Sequence, residues 1–387
     1  MRPKHVPFRL SLSIFSTFLV IGAYVPFLPL WLEGRGLNSA QIGLIFAAAL
    51  WAKIPVGLMV MSIADKSGHR KRLLIIVAAI TLIGFLMFPY LHGFTAILVG
   101  WVIVGTLLTT MIPLADSLAV IAIQRLNVDY GRIRLWGSIS FILISFIGGY
   151  YLEGRDSDAV LSLLIGGSVL MMLSSFLLPD LKEPPRTTSR LALFDLIKIP
   201  GFVIFVFTAA ILQASHAALY GFATLEWINA GISKTVIGFL WAEGVLVEIL
   251  LFMFSAKILN RLSISGLLLT AGIAGIVRWS VLGATQWVPA LIAVQALHAL
   301  TFAGTLVAAI AYITKVVPKD QSATAQGLYD GLAMGFIFGI AMVIAGRGYA
   351  DMGASVFYVM AAFSGCGLIG ALLLRNRLGD SLPSGHR

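Results

Sequence analysis

The chain has 387 residues, 59% hydrophobic and 11% charged, with a mean hydropathy of +0.96. A soluble domain carries about 25% charged residues, so the composition excludes an ordinary water-soluble fold and makes the bilayer the main solvent. A single cysteine, Cys366, excludes an internal disulfide and any cysteine-rich metal site, and the net charge of +10 is scattered over short loops rather than gathered into a patch for nucleic acid.

A spanning helix needs about 20 mostly apolar residues. That criterion predicts spans at 10–32, 41–63, 73–91, 94–121, 135–152 and 159–179, then at 200–228, 236–257, 263–284, 287–314, 323–346 and 354–374. The first follows a basic segment (Arg2, Lys4, Arg9), but its apolar run is too long for a signal peptide and no small-x-small cleavage site follows it. The prolines Pro26, Pro29 and Pro55 are placed to kink the first two helices. Gly327, Gly331, Gly335 and Gly339 form a stripe along helix 11 that permits close backbone approach.

With both termini on the cytoplasmic side, 21 of the 27 lysines and arginines fall on cytoplasmic loops and ends. Four (Arg35, Arg155, Lys234, Arg347) fall outside, and Lys53 and Arg278 lie within spans. This bias predicts an even number of helices with both ends inside. A shift of 195 residues brings Gly36 onto Gly231, Ile42-Gly43 onto Ile237-Gly238, Lys53-Ile54 onto Glu248-Ile249 and Asp65-Lys66 onto Asn260-Arg261. Both halves cross in the same direction, as in a parallel repeat about the membrane normal. The expected fold is therefore an all-α membrane protein of twelve transmembrane helices in two six-helix bundles. These cover 1–180 and 200–387, joined by a charged cytoplasmic linker at 181–199.

The loop between helices 2 and 3 reads Asp65-Lys66-Ser67-Gly68-His69-Arg70-Lys71-Arg72. It resembles the loop signature of the major facilitator superfamily, with Met61 where that pattern usually has glycine. Its carboxylate is placed to pair with a basic residue or a helix N-terminus nearby and hold one conformation. Three further stretches are similar to the phenylpropionate permease-like branch. They are Asp129-Tyr-Gly-Arg-Ile-Arg-Leu-Trp-Gly-Ser138, Ser215-His-Ala-Ala-Leu-Tyr-Gly-Phe222, and Val277-Arg-Trp-Ser280 with His298. Pro113-Leu-Ala-Asp116 and Leu240-Trp241 before Glu248 extend the similarity over nearly the whole chain. The resemblance implies proton-coupled uptake of a small, often aromatic, carboxylate by alternating access, in a multi-pass monomer of the inner membrane.

Ionisable groups inside spans cost on the order of 2.5–3.5 kcal/mol on insertion scales, which makes them functional candidates. Here they are Lys53, Asp116, Glu243, Glu248, Arg278 and Asp330, with His216 and His298 as further titratable groups. Burial favours the neutral form of a carboxylate, so Glu248, Glu243 and Asp116, with His298, are the proton-coupling candidates. Five residues separate Glu243 from Glu248, so they point about 140° apart, one inward and one against a neighbour. The plain alternative for Glu248 is a fixed ion pair with Arg134, Lys53 or Arg278. Arg278 is the candidate anchor for an anion, because a guanidinium grips a carboxylate in a bidentate fork; the alternative is a structural charge pair. Lys53, Trp136, Tyr220, Trp279 and His216 complete the candidate substrate contacts, the aromatics being equally suited to interfacial anchoring. Asp65, Lys66, Gly68, Arg70, Arg134 and Asp330 are the gating candidates, and Lys53 with Asp330 is a candidate cross-half pair.

Arg278 with His298 resembles the arginine–histidine–glutamate cluster of lactose-permease-like symporters, with Thr301 standing where the glutamate would follow one turn later. A carboxylate of helix 8 would have to substitute. No nucleotide-binding loop, metal-ligand cluster or hydrolase triad is present, so neither an enzyme nor a cofactor is expected. Proton-driven sugar or nucleoside uptake, drug/proton antiport, and a channel or receptor are the competing readings.

Overall fold

The computed structural model describes residues 5–126, 129–181 and 193–378. Every predicted span has its helix. The first six are α1 (Val6–Gly34), α2 (Ser39–Ser67), α3 (Arg70–Met87), α4 (Gly93–Leu126), α5 (Tyr130–Leu152) and α6 (Ala159–Leu177). A short helix, Leu193–Lys198, precedes α7 (Phe202–Asn229), α8 (Lys234–Leu259), α9 (Ile264–Ala284) and α10 (Val288–Val316). Helix α11 runs through Ser322–Gly331, Leu332–Phe336 and Ile337–Met352, and α12 is Val356–Leu378. Arg2, Lys4 and most of the 181–199 linker lie outside the described residues.

By length and apolarity alone, α11 and α12 merge into one 54-residue segment, Thr324–Arg377. At 1.5 Å per residue that segment would be about 80 Å long, more than twice the hydrocarbon thickness. Gly353, at φ 55°, turns the chain between them, so the described residues form twelve spanning helices. The internal repeat is visible in the backbone too. Gly36 and Gly231 occupy equivalent left-handed turns, at φ 78° and 81°, before α2 and α8.

Contacts group the described chain into two compact units. One takes the residues up to 181 with Ile232–Ala242, and the other takes those from 193 to Gly231 and from Glu243 onward. Helix α8 is thus divided, its first turns packing within the first unit.

In the first unit, α1 packs on α5 and α6, α2 on α4, and α3 on α4 and α6. Small polar side chains tie these helices. Ser140 donates to the Phe15 carbonyl (2.6 Å), Ser145 to the Gly22 carbonyl (3.2 Å), and Ser16 meets Ser174 (2.7 Å). The start of α8 joins α5 closely, because a Cβ on Gly149 would strike the Lys234 carbonyl and one on Gly238 the Ser145 carbonyl. Lys234 then donates to the carbonyls of Leu152 (3.0 Å) and Arg155 (2.6 Å), and Thr235 N–H to the Glu153 carboxylate (3.0 Å).

The second unit packs α9 on α12, and α7 on α11 and α12, around a core in which Phe205 stacks on Tyr312 with ring centroids 3.9 Å apart. Three of its helices are interrupted. Helix α7 breaks at Ser215-His216, α10 contains a π turn at Ala299–Gly304, and α11 another at Leu332–Phe336. Such turns add one residue to the helical circuit and rotate the remainder of the helix about its axis. The expected glycine stripe of α11 accordingly does not act as one packing face. A Cβ on Gly327 or Gly331 would meet nothing within 4 Å among the described residues.

Candidate functional site

The loop signature forms a compact ion pair. Gly68, at φ 67°, ends α2, and Arg70, opening α3, donates to Asp65 at 2.7 Å and to Ser117 of α4 at 3.1 Å. Arg70 is buried while Lys66 points to the exterior. Elsewhere in this unit, Asp116 of α4 and Arg134 of α5 line a narrow crevice with Ile14, Thr17, Phe18, Ile112 and Ala115. The Arg134 guanidinium lies over the Phe18 ring, 4.4 Å from its centroid. Tyr130, opening α5, engages both Asp116 and Arg134. Lys53 is half-buried in α2, and Trp136 is 46% exposed with its edge to Phe15.

The second unit holds the denser polar cluster, and Arg278 is its centre. This side chain is fully buried, yet its guanidinium is fully employed at its Nη atoms. Nη2 donates to Gln295 Oε1 (2.7 Å), and Nη1 donates to His298 Nδ1 (2.9 Å) and Thr301 Oγ1 (3.0 Å). The guanidinium carbon also sits 4.5 Å from the Trp279 ring centroid, and Nε has no partner among the described residues. A guanidinium has donors only, so His298 Nδ1 must accept and carries no proton. The His298 proton therefore sits on Nε2, 3.8 Å from Glu248 Oε2. That gap is too long for a hydrogen bond but within reach of one rotamer adjustment.

Both carboxylates of α8 serve this one cluster, against the expectation that only one would face inward. Glu248 faces His298, and Glu243 interacts electrostatically with Arg278. A Cβ on Gly244, between them, would lie 3.5 Å from the His298 ring. The difference arises because a glutamate side chain is long enough to reach around the helix shoulder. Glu248 thus faces a histidine that was not among the partners considered for it.

His216 is fully buried at the α7 break. Its Nδ1 meets the Gln213 carbonyl (3.0 Å) and its Nε2 the Thr301 hydroxyl (3.0 Å). Ser215 donates to the Leu212 carbonyl (2.7 Å), so two side chains bond back to carbonyls of the last turn before the break. Gln213 in turn donates to the Phe302 carbonyl in the π turn of α10 (3.3 Å). Tyr220 is half-buried and stacks on Phe338. Trp279, expected among the substrate contacts, is placed as an interhelical tie. It is fully buried, and its indole N–H is shared between Ser215 and Ser364 at 3.1 Å each, so it ties α9 to α7 and α12. Asp330 lies in α11 just before the π turn, half-buried.

The structure therefore gathers Glu243, Glu248, Arg278, His298 and His216 in the second unit, and Asp116 with Arg134 in the first. Sequence reasoning missed Gln295, Ser215 and Tyr130. Tyr130 and Ser215 carried a signal, their places inside the family-like stretches 129–138 and 215–222. Thr301 entered only as a departure from a pattern.

Comparison with known proteins places this arrangement. The family model described as MFS_1 like family matches residues 8–360. The probable 3-phenylpropionic acid transporter of Escherichia coli K12 is 33% identical over 360 residues, covering 91% of this chain and 93% of its own. The melibiose permease of Enterobacter cloacae is 26% identical, covering 81% and 79%. Among solved structures, the nucleoside transporter NupG superposes with a TM-score of 0.83 at 17% identity, over 98% of this chain and all of its own. This multi-pass membrane protein belongs to the MFS_1-like family of major facilitator transporters.

Proposed function

We propose that this transporter is a proton-coupled symporter of a small organic anion, with aromatic carboxylates the first class to test. One observation carries the reading. Arg278 is a fully buried cation whose hydrogen-bond partners, Gln295, Thr301 and the Nδ1-accepting His298, are all uncharged. A charge buried among neutral partners is costly, and the nearby carboxylates Glu243 and Glu248 are placed to balance it at longer range. If one of them takes a proton, an anionic substrate becomes the compensating charge. Proton and anion then bind as a pair, and the loaded carrier interconverts between its two access states. The name of the Escherichia coli relative supports an arylpropionate as substrate, and the charge bias of the loops supports cytoplasmic termini.

The rival reading is uptake of a neutral sugar or nucleoside, favoured by the permease and nucleoside-transporter relatives. A thermal-shift screen of purified protein against aromatic acids, sugars and nucleosides separates the two. Hits are then assayed in proteoliposomes with an imposed pH gradient. Stabilisation by 3-phenylpropionate and its gradient-driven accumulation is the expected result; hits confined to neutral or cationic compounds would sink the anion reading.

A further inference from the structure

The polar cluster has a direction that its geometry dictates. A carbonyl oxygen only accepts, so His216 Nδ1 must carry the proton it shares with Gln213. In neutral His216 the Nε2 atom is then a bare acceptor, and the Thr301 hydroxyl must donate to it. The same hydroxyl oxygen accepts from Arg278 Nη1, which also donates to His298 Nδ1, leaving the His298 Nε2–H aimed toward Glu248. The result is one line of polar contacts. It runs from Glu248 on α8, through His298 on α10 and Arg278 on α9, to Thr301 on α10 and His216 at the break of α7.

Thr301 is the narrow point of this line. The hydroxyl lies within the π turn Ala299–Gly304, which sets where it sits on α10. The His298 carbonyl lies farther from it, at 3.4 Å, and is the acceptor left to its hydrogen when the His216 contact is lost. Beyond Thr301, the His216 ring adds a second bond to the Gln213 carbonyl, which also accepts the His216 backbone N–H at 3.1 Å. Among the described residues, the charged and titratable groups around the line include Glu243 and Glu248 from α8, Arg278 from α9, His298 from α10, and His216 and Tyr220 from α7.

We propose that Thr301 is a positioning residue that joins the α7 break to the Arg278–His298–Glu248 cluster, so that the charge state of Glu248 is felt at α7 through its hydroxyl. With Glu248 ionised, the His298 Nε2–H is drawn toward it and the imidazole becomes a better acceptor for Arg278. The guanidinium is then held where it meets Thr301, and Thr301 is held on His216. With Glu248 protonated that pull is gone, the guanidinium is released to an anion, and the Thr301 contact to His216 loosens. The inference rests on the proton-symport reading for its role in transport, but the physical link can be measured without any substrate.

The link is tested by ¹⁵N NMR of histidine-labelled protein in lipid nanodiscs. Glu248→Gln is expected to shift the His216 ring nitrogens in the wild-type background and in Thr301→Ser, but not in Thr301→Val, which keeps the shape and removes the hydroxyl. An unmoved His216 signal in the wild-type background, or an equal shift in Thr301→Val, overturns the proposal. In proteoliposomes, Thr301→Val should lower gradient-driven accumulation of 3-phenylpropionate about tenfold relative to its counterflow exchange, with Thr301→Ser restoring it. Loss of accumulation and exchange in equal proportion marks a merely structural threonine and also overturns it. A wild-type protein without gradient-driven accumulation refutes the symport reading, while the NMR result still decides the link.

Discussion

The two six-helix halves share a repeat but differ in how they hold charge. In the first unit the described helices run unbroken; Asp65 forms a compact pair with Arg70, and Asp116 and Arg134 line one crevice and both engage Tyr130. In the second unit three helices are interrupted, and a cation sits fully buried among neutral partners. The interruptions are what make this possible. An intact helix spends its carbonyls internally, whereas the α7 break and the α10 π turn expose carbonyls and hydroxyls to side chains such as His216 and Gln213. A duplicated fold can thus hold its charges differently in its two halves.

The contrast breaks most readily at Arg278. Replacing it by Gln removes three charge-assisted bonds, and gradient-driven uptake should fall on the order of 100-fold, equivalent to about 3 kcal/mol. Uptake retained above a tenth of wild type would show that the buried cation is scaffold. Next in size is the repeat pair itself. Glu248→Gln should lower accumulation about 30-fold and Lys53→Gln only about threefold, measured side by side in proteoliposomes. Equal losses would erase the functional asymmetry.

A third comparison concerns backbone approach. Gly238→Ala drives a methyl into the Ser145 carbonyl and should destabilise by about 1–3 kcal/mol. Gly331→Ala meets open space and should stabilise slightly, by about 0.5–1 kcal/mol, through helix propensity. Thermal unfolding in detergent reads both, and matching shifts would contradict the packing described. The smallest effect belongs to Trp136→Phe. This exposed side chain should change stability by less than about 0.5 kcal/mol, so any loss of uptake there identifies a substrate contact rather than a fold defect.

Much of this molecule was legible in one dimension. Its twelve spans came from runs of apolar residues, because the cost of burying polar backbone in lipid acts on each segment separately. The repeat was equally plain, and Gly36 and Gly231 carry it into the backbone as matched left-handed turns. The spans also marked Glu248, Arg278, His298 and His216 as residues out of place in a membrane. Their partners were another matter. Trp279 looked like a cavity wall and is an interhelical tie, and Glu243 looked turned away from Glu248 and serves the same cluster. Thr301 looked like a missing glutamate and instead bonds both His216 and Arg278. Contacts of this kind depend on how each helix is rotated about its axis. The α7 break and the two π turns reset that rotation partway along a span, where hydropathy shows no change.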